Sequence, residues 1–354
     1  MCLTPARLMS SDRKTMTSRL SQSIYVEAPA RLHLGFLDLN GGLGRRFGSL
    51  GLTIEAFATR LRVARADGFS AEGPGAERAL NYARTFAAAR GLRGGAHIHL
   101  SAAIPDHAGL GSGTQMALAV GTALDRLLGP STPDRPADCR GVAQALGRGQ
   151  RSGIGIGAFE DGGFICDCGR GELPAVPPVI MQLPFPAAWR VLLLIDQRGQ
   201  GLHGERESRA FSNLPEFPAA TAGHLCRLLL MQLVPGLLEG RLPPVAEAIG
   251  EIQRAVGTHF ASVQGGCFAS PAVTAALDWA AGQGFPGNGQ SSWGPTGFIL
   301  AADEDQARWL ERGLKGRFGD LSPLRYRITA GRNAGARIEH RMDVAHAPVQ
   351  SITR

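Results

Sequence analysis

Between an alternating apolar run, His97 to Ile104, and a continuous apolar one, Met116 to Leu124, lies Pro105-Asp106-His107-Ala108-Gly109-Leu110-Gly111-Ser112-Gly113-Thr114-Gln115. The alternating run reads as a strand and the continuous run as a buried helix. A strand, then a Pro/Gly loop, then Ser and Thr at a helix start is a device for holding anions. Small residues let the backbone approach a phosphate, and the free N–H groups of the first helical turn point at it. The same Gly-rich turn can also serve as a purely structural connection.

Around this unit the chain alternates strands and helices. Ile24 to Phe36 and Leu50 to Val63 read as strands, and Ala76 to Arg90 as a helix stopped by Gly91. Pro136 to Leu146 reads as a helix and Gly162 to Asp167 as a short strand. Leu173 to Ala188, punctuated by Pro174, Pro177, Pro178, Pro184 and Pro186, reads as a connection between lobes. Arg190 to Asp196 is an apolar strand, and three or four helices fit between Glu205 and Gly284. Thr296 to Ala302 reads as a strand, Glu304 to Gly316 as a helix, and Tyr326 to Ala330 with Ala336 to His340 as closing strands. Strands mixed with helices throughout make an α+β class. The expected lobes are 23–185 and 186–345, with a disordered tail over 1–22 and a loose one over 346–354.

The net charge is +7, carried almost wholly by arginine, since Lys14 and Lys315 are the only lysines. An anionic partner is expected, and arginine suits phosphates and carboxylates because its fork donates two parallel hydrogen bonds. The arginines are scattered and not studded with aromatics, so no nucleic-acid partner is expected. With so few lysines, no Schiff-base lysine and hence no pyridoxal phosphate is expected. No window has the uninterrupted apolar run of a membrane span, so no membrane partner is expected. The first residues lack the apolar stretch of a secretory signal. Basic and Ser-rich, they faintly resemble a transit peptide, and Met9 or Met16 can be the start. Cys166 and Cys168 lie two apart on an expected strand, and free thiols in a reducing cytosol are favoured over a metal site.

The loop resembles the phosphate loop of the GHMP kinase superfamily, and no Gly-Lys-Ser/Thr follows it to make a P-loop. Ala28 to Gly42 resembles that superfamily's first motif. More narrowly, four segments resemble the β-ribofuranosylaminobenzene 5′-phosphate synthase family: Arg31-Leu32-His33, Gly109 to Gln115, Arg151 to Gly155 with Gly162-Gly163-Phe164, and Gln290-Ser291-Ser292-Trp293-Gly294-Pro295-Thr296. The resemblance implies a two-lobed GHMP-kinase-like fold, with a ribosomal-protein-S5-like N-terminal lobe and a ferredoxin-like C-terminal lobe. In kinases of the superfamily a Ser-Gly-x-Asp carries an aspartate that helps deprotonate the acceptor hydroxyl. Here Gly155 stands in that place, so the fold is expected without phosphoryl transfer.

The resemblance assigns phosphate binding to Gly109, Leu110, Gly111, Ser112, Gly113, Thr114, Gln115, Arg151, Ser152 and Gly153. It gives catalytic roles to Arg31 and His33, against an edge-strand reading of both. Asp196, at the C-terminal end of an apolar strand where ligands tend to bind, is a further catalytic candidate, open between stabilising positive charge or reaching Mg²⁺ and capping its loop. Arg46, Gln290, Ser291, Ser292, Trp293 and Thr296 are the expected substrate-binding residues. An amide, two hydroxyls and an aromatic plane can hold an aryl carboxylate, or they can make a turn around a buried Trp. Asp38 is open between turn residue and ligand, and Arg45 and Arg46 between phosphate clamp and solvated loop. His97 and His99 are favoured as sheet-face residues over metal ligands.

What the resemblance implies is a decarboxylating C-ribosyltransferase of tetrahydromethanopterin biosynthesis. It would join phosphoribosyl diphosphate to 4-aminobenzoate with Mg²⁺ and without ATP, as a cytoplasmic homodimer. The alternatives are a C-nucleoside synthase using 4-hydroxybenzoate or a heteroaromatic carboxylate, an ATP-dependent small-molecule kinase, and a non-catalytic nucleotide-binding regulator.

Overall fold

A computed structural model describes residues 20–130, 136–172, 175–198, 214–319 and 323–344. Residues 1–19 of the expected N-terminal tail with Lys14, the whole expected tail 346–354 and the stretch around His203 lie outside them. Two antiparallel-rich sheets carry the fold. The first runs β11(Arg337–Val344)–β1(Leu20–Asp38)–β2(Phe47–Ala66)–β4(Gly95–Ala102)–β3(Ser70–Glu72), with β5(Phe164–Asp167) paired to β2 and to β6(Val179–Leu183). The second runs β10(Leu324–Ala330)–β7(Arg190–Asp196)–β9(Thr296–Ala301)–β8(Asn288–Gln290). The first strand is longer than the sequence suggests: Leu20 to Gln22, placed in a tail by the sequence, pair with Met342 to Val344. Residues 337–344 thereby join the first sheet, although they follow the second in sequence.

β1 and β2 are long enough to serve two cores. Ile24, Val26 and Ala28 bury under α1(Ala76–Arg90), α2(Ser112–Leu128) and α3(Cys139–Ala145). Further along the same strand, Leu32, Leu34 and Phe36 enter a second core with Val191, Leu193, Phe298 and the helices of the second half. Register shifts between Pro29 and Arg31 and between His33 and Gly35 mark the crossing, and such bulges re-aim side chains. The continuous apolar run of β7 is explained by burial on both faces: Val191 and Leu193 face the shared core, Leu192 and Leu194 a third core with Val273, Leu310 and Leu314.

The helix Ala76–Arg90 ends where the sequence places it, with Gly91 left-handed at φ 61°. Two departures from expectation lie next to the Arg151 motif and in the linker. The Gly-rich stretch after Arg151 forms α4(Ile154–Glu160), and the proline-rich connection contains β6. In the second half α5(Ala219–Leu228) runs through a π-helical turn, Leu229–Leu233, into α6(Val234–Leu238). Ala219–Leu238 is long and apolar enough to span a membrane, by length and composition alone. α7(Leu242–Gln264) lies against β1 and β8 and forms a wall of the site; α8(Pro271–Gly282) and α9(Glu304–Phe318) cover the outer face of the second sheet.

Candidate active site

Three segments far apart in sequence lock together at the lobe boundary. The N–H of Arg31 donates to Leu110 O at 3.1 Å, and its Nη1 donates to Gly109 O at 2.7 Å. Ser291 Oγ donates to the same Gly109 carbonyl at 2.7 Å and accepts the N–H of His33 at 3.0 Å. Gly109 and Gly111 are left-handed, at φ 78° and 85°. A Cβ on Gly109 would stand 2.2 Å from Ser291 O, and one on Gly294 2.5 Å from the Ala108 carbonyl. The joint is backbone against backbone, which side chains would pry apart.

Beyond this joint the loop opens onto α2. No side chain caps that helix, and Gln115 N–H, bonded to Gly111 O at 3.0 Å, begins its internal ladder. The preceding amides are left for a ligand. They form one wall of a cleft of about 470 Å³ whose described lining includes Arg31, Arg78, Arg148 and Arg151 and no carboxylate. The nearby acid Asp106 pairs with Arg78 at 2.6 Å. Arg148 lies over the Tyr82 ring, 5.2 Å from its centroid, and donates to the Tyr82 hydroxyl. Its Nη1 is 3.4 Å from where a Cβ on Gly113 would be, so guanidinium and helix start face one anion position.

A narrow aromatic pouch adjoins the cleft. His33, Phe36 and Ser292 line both. Phe260 and Trp293, with ring centroids 4.5 Å apart, build its wall, and Phe36 lies 6.3 Å from Phe260. Ser292 holds a left-handed φ of 57° at this seam, a conformation that costs energy in a non-glycine residue and concentrates at functional sites.

His33 is fixed in one tautomer. Its Nδ1 accepts the N–H of Gly35 at 3.2 Å, so Nε2 carries the hydrogen of the neutral ring. Nε2 is buried and has no partner among the described residues. Burial, and then the charge of Arg31, push the ring from its ordinary 6.5 down to about 3. His33 is therefore a neutral donor at the seam of cleft and pouch, with its one lone pair already taken by Gly35 N–H. Between pH 6.5 and about 3 the unfolded chain binds a proton that folded His33 refuses, so stability falls as pH falls through that window. His33→Gln keeps an acceptor for Gly35 and cannot titrate. Its denaturant midpoint should drop less between pH 7 and pH 5 than the wild type's; an equal drop would show that His33 does not carry this slope.

Asp167, which the sequence reading passed over for its cysteine neighbours, holds the Arg151 loop in place. Its carboxylate accepts from Ser152 Oγ (2.9 Å) and from the N–H groups of Gly153 (2.8 Å), Gly169 (2.8 Å) and Ser49 (3.1 Å). Burial raises its pKa, against those four donors. Of the expected phosphate-loop residues, Gly109, Gly111, Ser112, Gly113, Thr114, Arg151 and Ser152 line the cleft. Leu110 buries its side chain in the core, Gln115 donates to Gly155 O at 2.7 Å, and Gly153 packs on Pro177, outside the described lining.

Of the expected substrate residues, Gln290, Ser292 and Trp293 line the pouch. The Gln290 amide is committed internally, accepting Ala269 N–H at 2.6 Å and donating to Ser292 O at 2.8 Å. Ser291 is the joint described above, and Thr296 is buried on β9. Arg46 donates to Leu39 O at 2.9 Å and Arg45 to Cys168 and Gly169 carbonyls, which makes them loop braces. Asp38 is a turn residue, accepting Asn40 and Gly41 N–H groups. Asp196 also lies outside both linings. Its carboxylate takes Ser270 Oγ at 2.7 Å and Arg198 N–H at 3.0 Å. His97 and His99 share Glu72 on an exposed sheet face.

Where superfamily kinases carry their aspartate, a Cβ on Gly155 would already be 3.0 Å from Thr114 Cγ2. A side chain at position 155 would press on Thr114. Among the described residues no group of three or more His, Cys, Asp or Glu stands together as a metal cage, and the described cleft lining offers no carboxylate to Mg²⁺.

Residues 77–163 match the family model for the GHMP kinases N terminal domain. The structure is similar to homoserine kinase from Cytophaga hutchinsonii (TM-score 0.62, 19% identity, 93% of this chain and 100% of that one). It is also similar to mevalonate diphosphate decarboxylase from Staphylococcus aureus (TM-score 0.61, 15% identity, 90% and 98%). The fold is thus that of the GHMP superfamily. Two relatives, each called β-ribofuranosylphenol 5′-phosphate synthase, are 31% identical. One, from Methanothermobacter thermautotrophicus, aligns over 88% of this chain and 98% of its own; the other, from Archaeoglobus fulgidus, over 89% and 99%. The chain belongs to this family of ribofuranosyl-phosphate synthases, which are pentosyl-transferring enzymes.

Proposed function

We propose that this enzyme joins C1 of phosphoribosyl diphosphate to the carboxylate-bearing ring carbon of a para-substituted benzoate, releasing diphosphate and CO₂. The observation that carries this reading is the junction of an arginine-lined cleft with an aromatic pouch at His33, Phe36 and Ser292. The α2 amides with Arg31, Arg148 and Arg151 take the phosphates, and the ring seats at the seam with its para end directed into the pouch of about 30 Å³ beside Phe260 and Trp293. Arg31, Arg148 and Arg151 favour departure of diphosphate, which leaves with the C1–O electron pair. The ring carbon supplies the new bond, and the electron pair of the ring–carboxylate bond returns to the ring as CO₂ leaves. No proton leaves that carbon, so glycine at 155 is tolerated.

Mg²⁺ enters in this proposal bound to the diphosphate oxygens, as part of the substrate. Both substrates are water-soluble and fit a cytoplasmic enzyme. The relatives' name points to a phenol product; 4-aminobenzoate, a substrate of tetrahydromethanopterin biosynthesis, is the other acceptor to test. Incubation with phosphoribosyl diphosphate, Mg²⁺ and each acceptor should release one CO₂ and one diphosphate per product, without ATP. Carboxyl-labelled acceptor should lose its label completely. Label retained in a ribosylated product would show attack through oxygen or nitrogen, and ATP-dependent phosphorylation of an alcohol would restore a kinase.

A further inference from the structure

We infer that Gln253 selects the para substituent of the aryl acceptor, donating from Nε2 to an oxygen there and holding the acceptor as a phenolate. The inference rests on the ribosyl-transfer reading above. Gln253 stands on α7, is 5% exposed, and lines the pouch but not the cleft. Its Oε1 accepts the backbone N–H of Gln290 at 2.8 Å. A backbone N–H can only donate, so this bond fixes which end of the amide faces the pouch. Nε2 turns toward Gly35, 3.8 Å from where a Cβ would be, and has no acceptor among the described residues. Gly35, at φ 128°, leaves this approach open. The Nε2 hydrogens face the pouch that Gln253 lines, where a ligand acceptor can take them.

The polar hydrogen left over at the seam, on His33 Nε2, is a donor too. The site thus calls for acceptor atoms at both ends of the ring. With the reacting carbon at the cleft, its carboxylate lies at the seam and the para substituent, farthest from the new bond, lies in the pouch. A para oxygen accepts there. A para amine presents N–H groups, and its lone pair is drawn into the ring.

The electron flow agrees. In the phenolate the pair that forms the C–C bond comes from the para oxygen, which becomes a dienone carbonyl as diphosphate leaves C1. The ring–carboxylate bond then breaks, its pair returns to that oxygen, and CO₂ departs. No proton moves in either step, and the oxygen accepts from Gln253 throughout. An amine would instead become an iminium, its positive charge facing the Nε2 hydrogens.

Ultraviolet absorption distinguishes phenol from phenolate. Bound to the wild type without phosphoribosyl diphosphate, 4-hydroxybenzoate should ionise at least one pH unit below the free compound. Wild-type kcat/KM should favour 4-hydroxybenzoate over 4-aminobenzoate by at least tenfold. Gln253→Met should abolish the ionisation shift and collapse the preference, through a fall with 4-hydroxybenzoate alone. An unshifted wild-type titration, failure to bind 4-hydroxybenzoate, or equal losses with both acceptors would overturn the assignment. The titration and the acceptor ratio need no variant, so a misfolded Gln253→Met leaves both standing as tests. A wild type that shifts the phenol but releases neither CO₂ nor diphosphate overturns the ribosyl-transfer reading and spares the donor role. Turnover without a shift overturns the donor role alone.

Discussion

Gly109→Ala should cost about 2 kcal/mol or more of stability, because left-handed backbone penalises a Cβ and an overpacked contact adds to it. The new methyl would be aimed at Ser291 O, 2.2 Å away, in a joint with no flexible side chain to yield. Relief requires the loop and the Gln290–Thr296 turn to part. That displaces the Gly109 carbonyl, which both Arg31 and Ser291 hold, and moves the α2 amides away from His33. A misplacement near 1 Å costs roughly 100-fold in rate, so turnover should fall by about that factor even where the protein remains folded. Thermal unfolding and steady-state kinetics measure the two effects separately. Wild-type values in both would show that the two segments do not need this contact.

Arg31→Ala should lower kcat by roughly 10²- to 10³-fold, the usual loss when a preorganised donor to developing negative charge is removed. Arg31 lines the cleft and is anchored through Nη1 to Gly109 O. Arg31→Lys keeps the charge but not the fork, so one nitrogen must choose between Gly109 and the ligand. Its kcat should lie between alanine and wild type, with KM for phosphoribosyl diphosphate raised. The melting temperature separates the structural share of the change, since one lost hydrogen bond accounts for only about 1 kcal/mol. Near-normal kcat in Arg31→Lys at saturating substrate would relegate Arg31 to holding the loop.

The legible parts of this molecule are those whose cause is local. The helix Ala76–Arg90 announces itself by period and by Gly91, and the phosphate loop by glycines between a strand and a helix. Arg31 and His33 share a face because strand side chains alternate. β6 was hidden because Pro178 and Pro184 punctuate both ends, while its reason to exist is pairing with β5. α4 was hidden because Gly155 and Gly157 are poor helix formers; they are there for close packing, Gly157 being 3.1 Å from Ile165 at a notional Cβ. Gln253 and Phe260 read as one apolar-and-amide stripe of an amphipathic helix until β1 and β8 are laid against it. Arg148 stood a few residues ahead of the Arg151 motif, and only its approach to Gly113 gives it a role.

The pairing of β1 with β11 bears on biosynthesis. Leu20 finds its partner at Val344, at the far end of the described chain. While a ribosome extends the polypeptide at about 5–20 residues per second, the outer edge of the first sheet waits unpaired until the last strand emerges. Contacts of such sequence separation slow folding, and an open edge invites pairing with another nascent chain. Completion of this sheet therefore waits for the synthesis of residues 337–344, and the interval before it is when the open edge of β1 most needs protection.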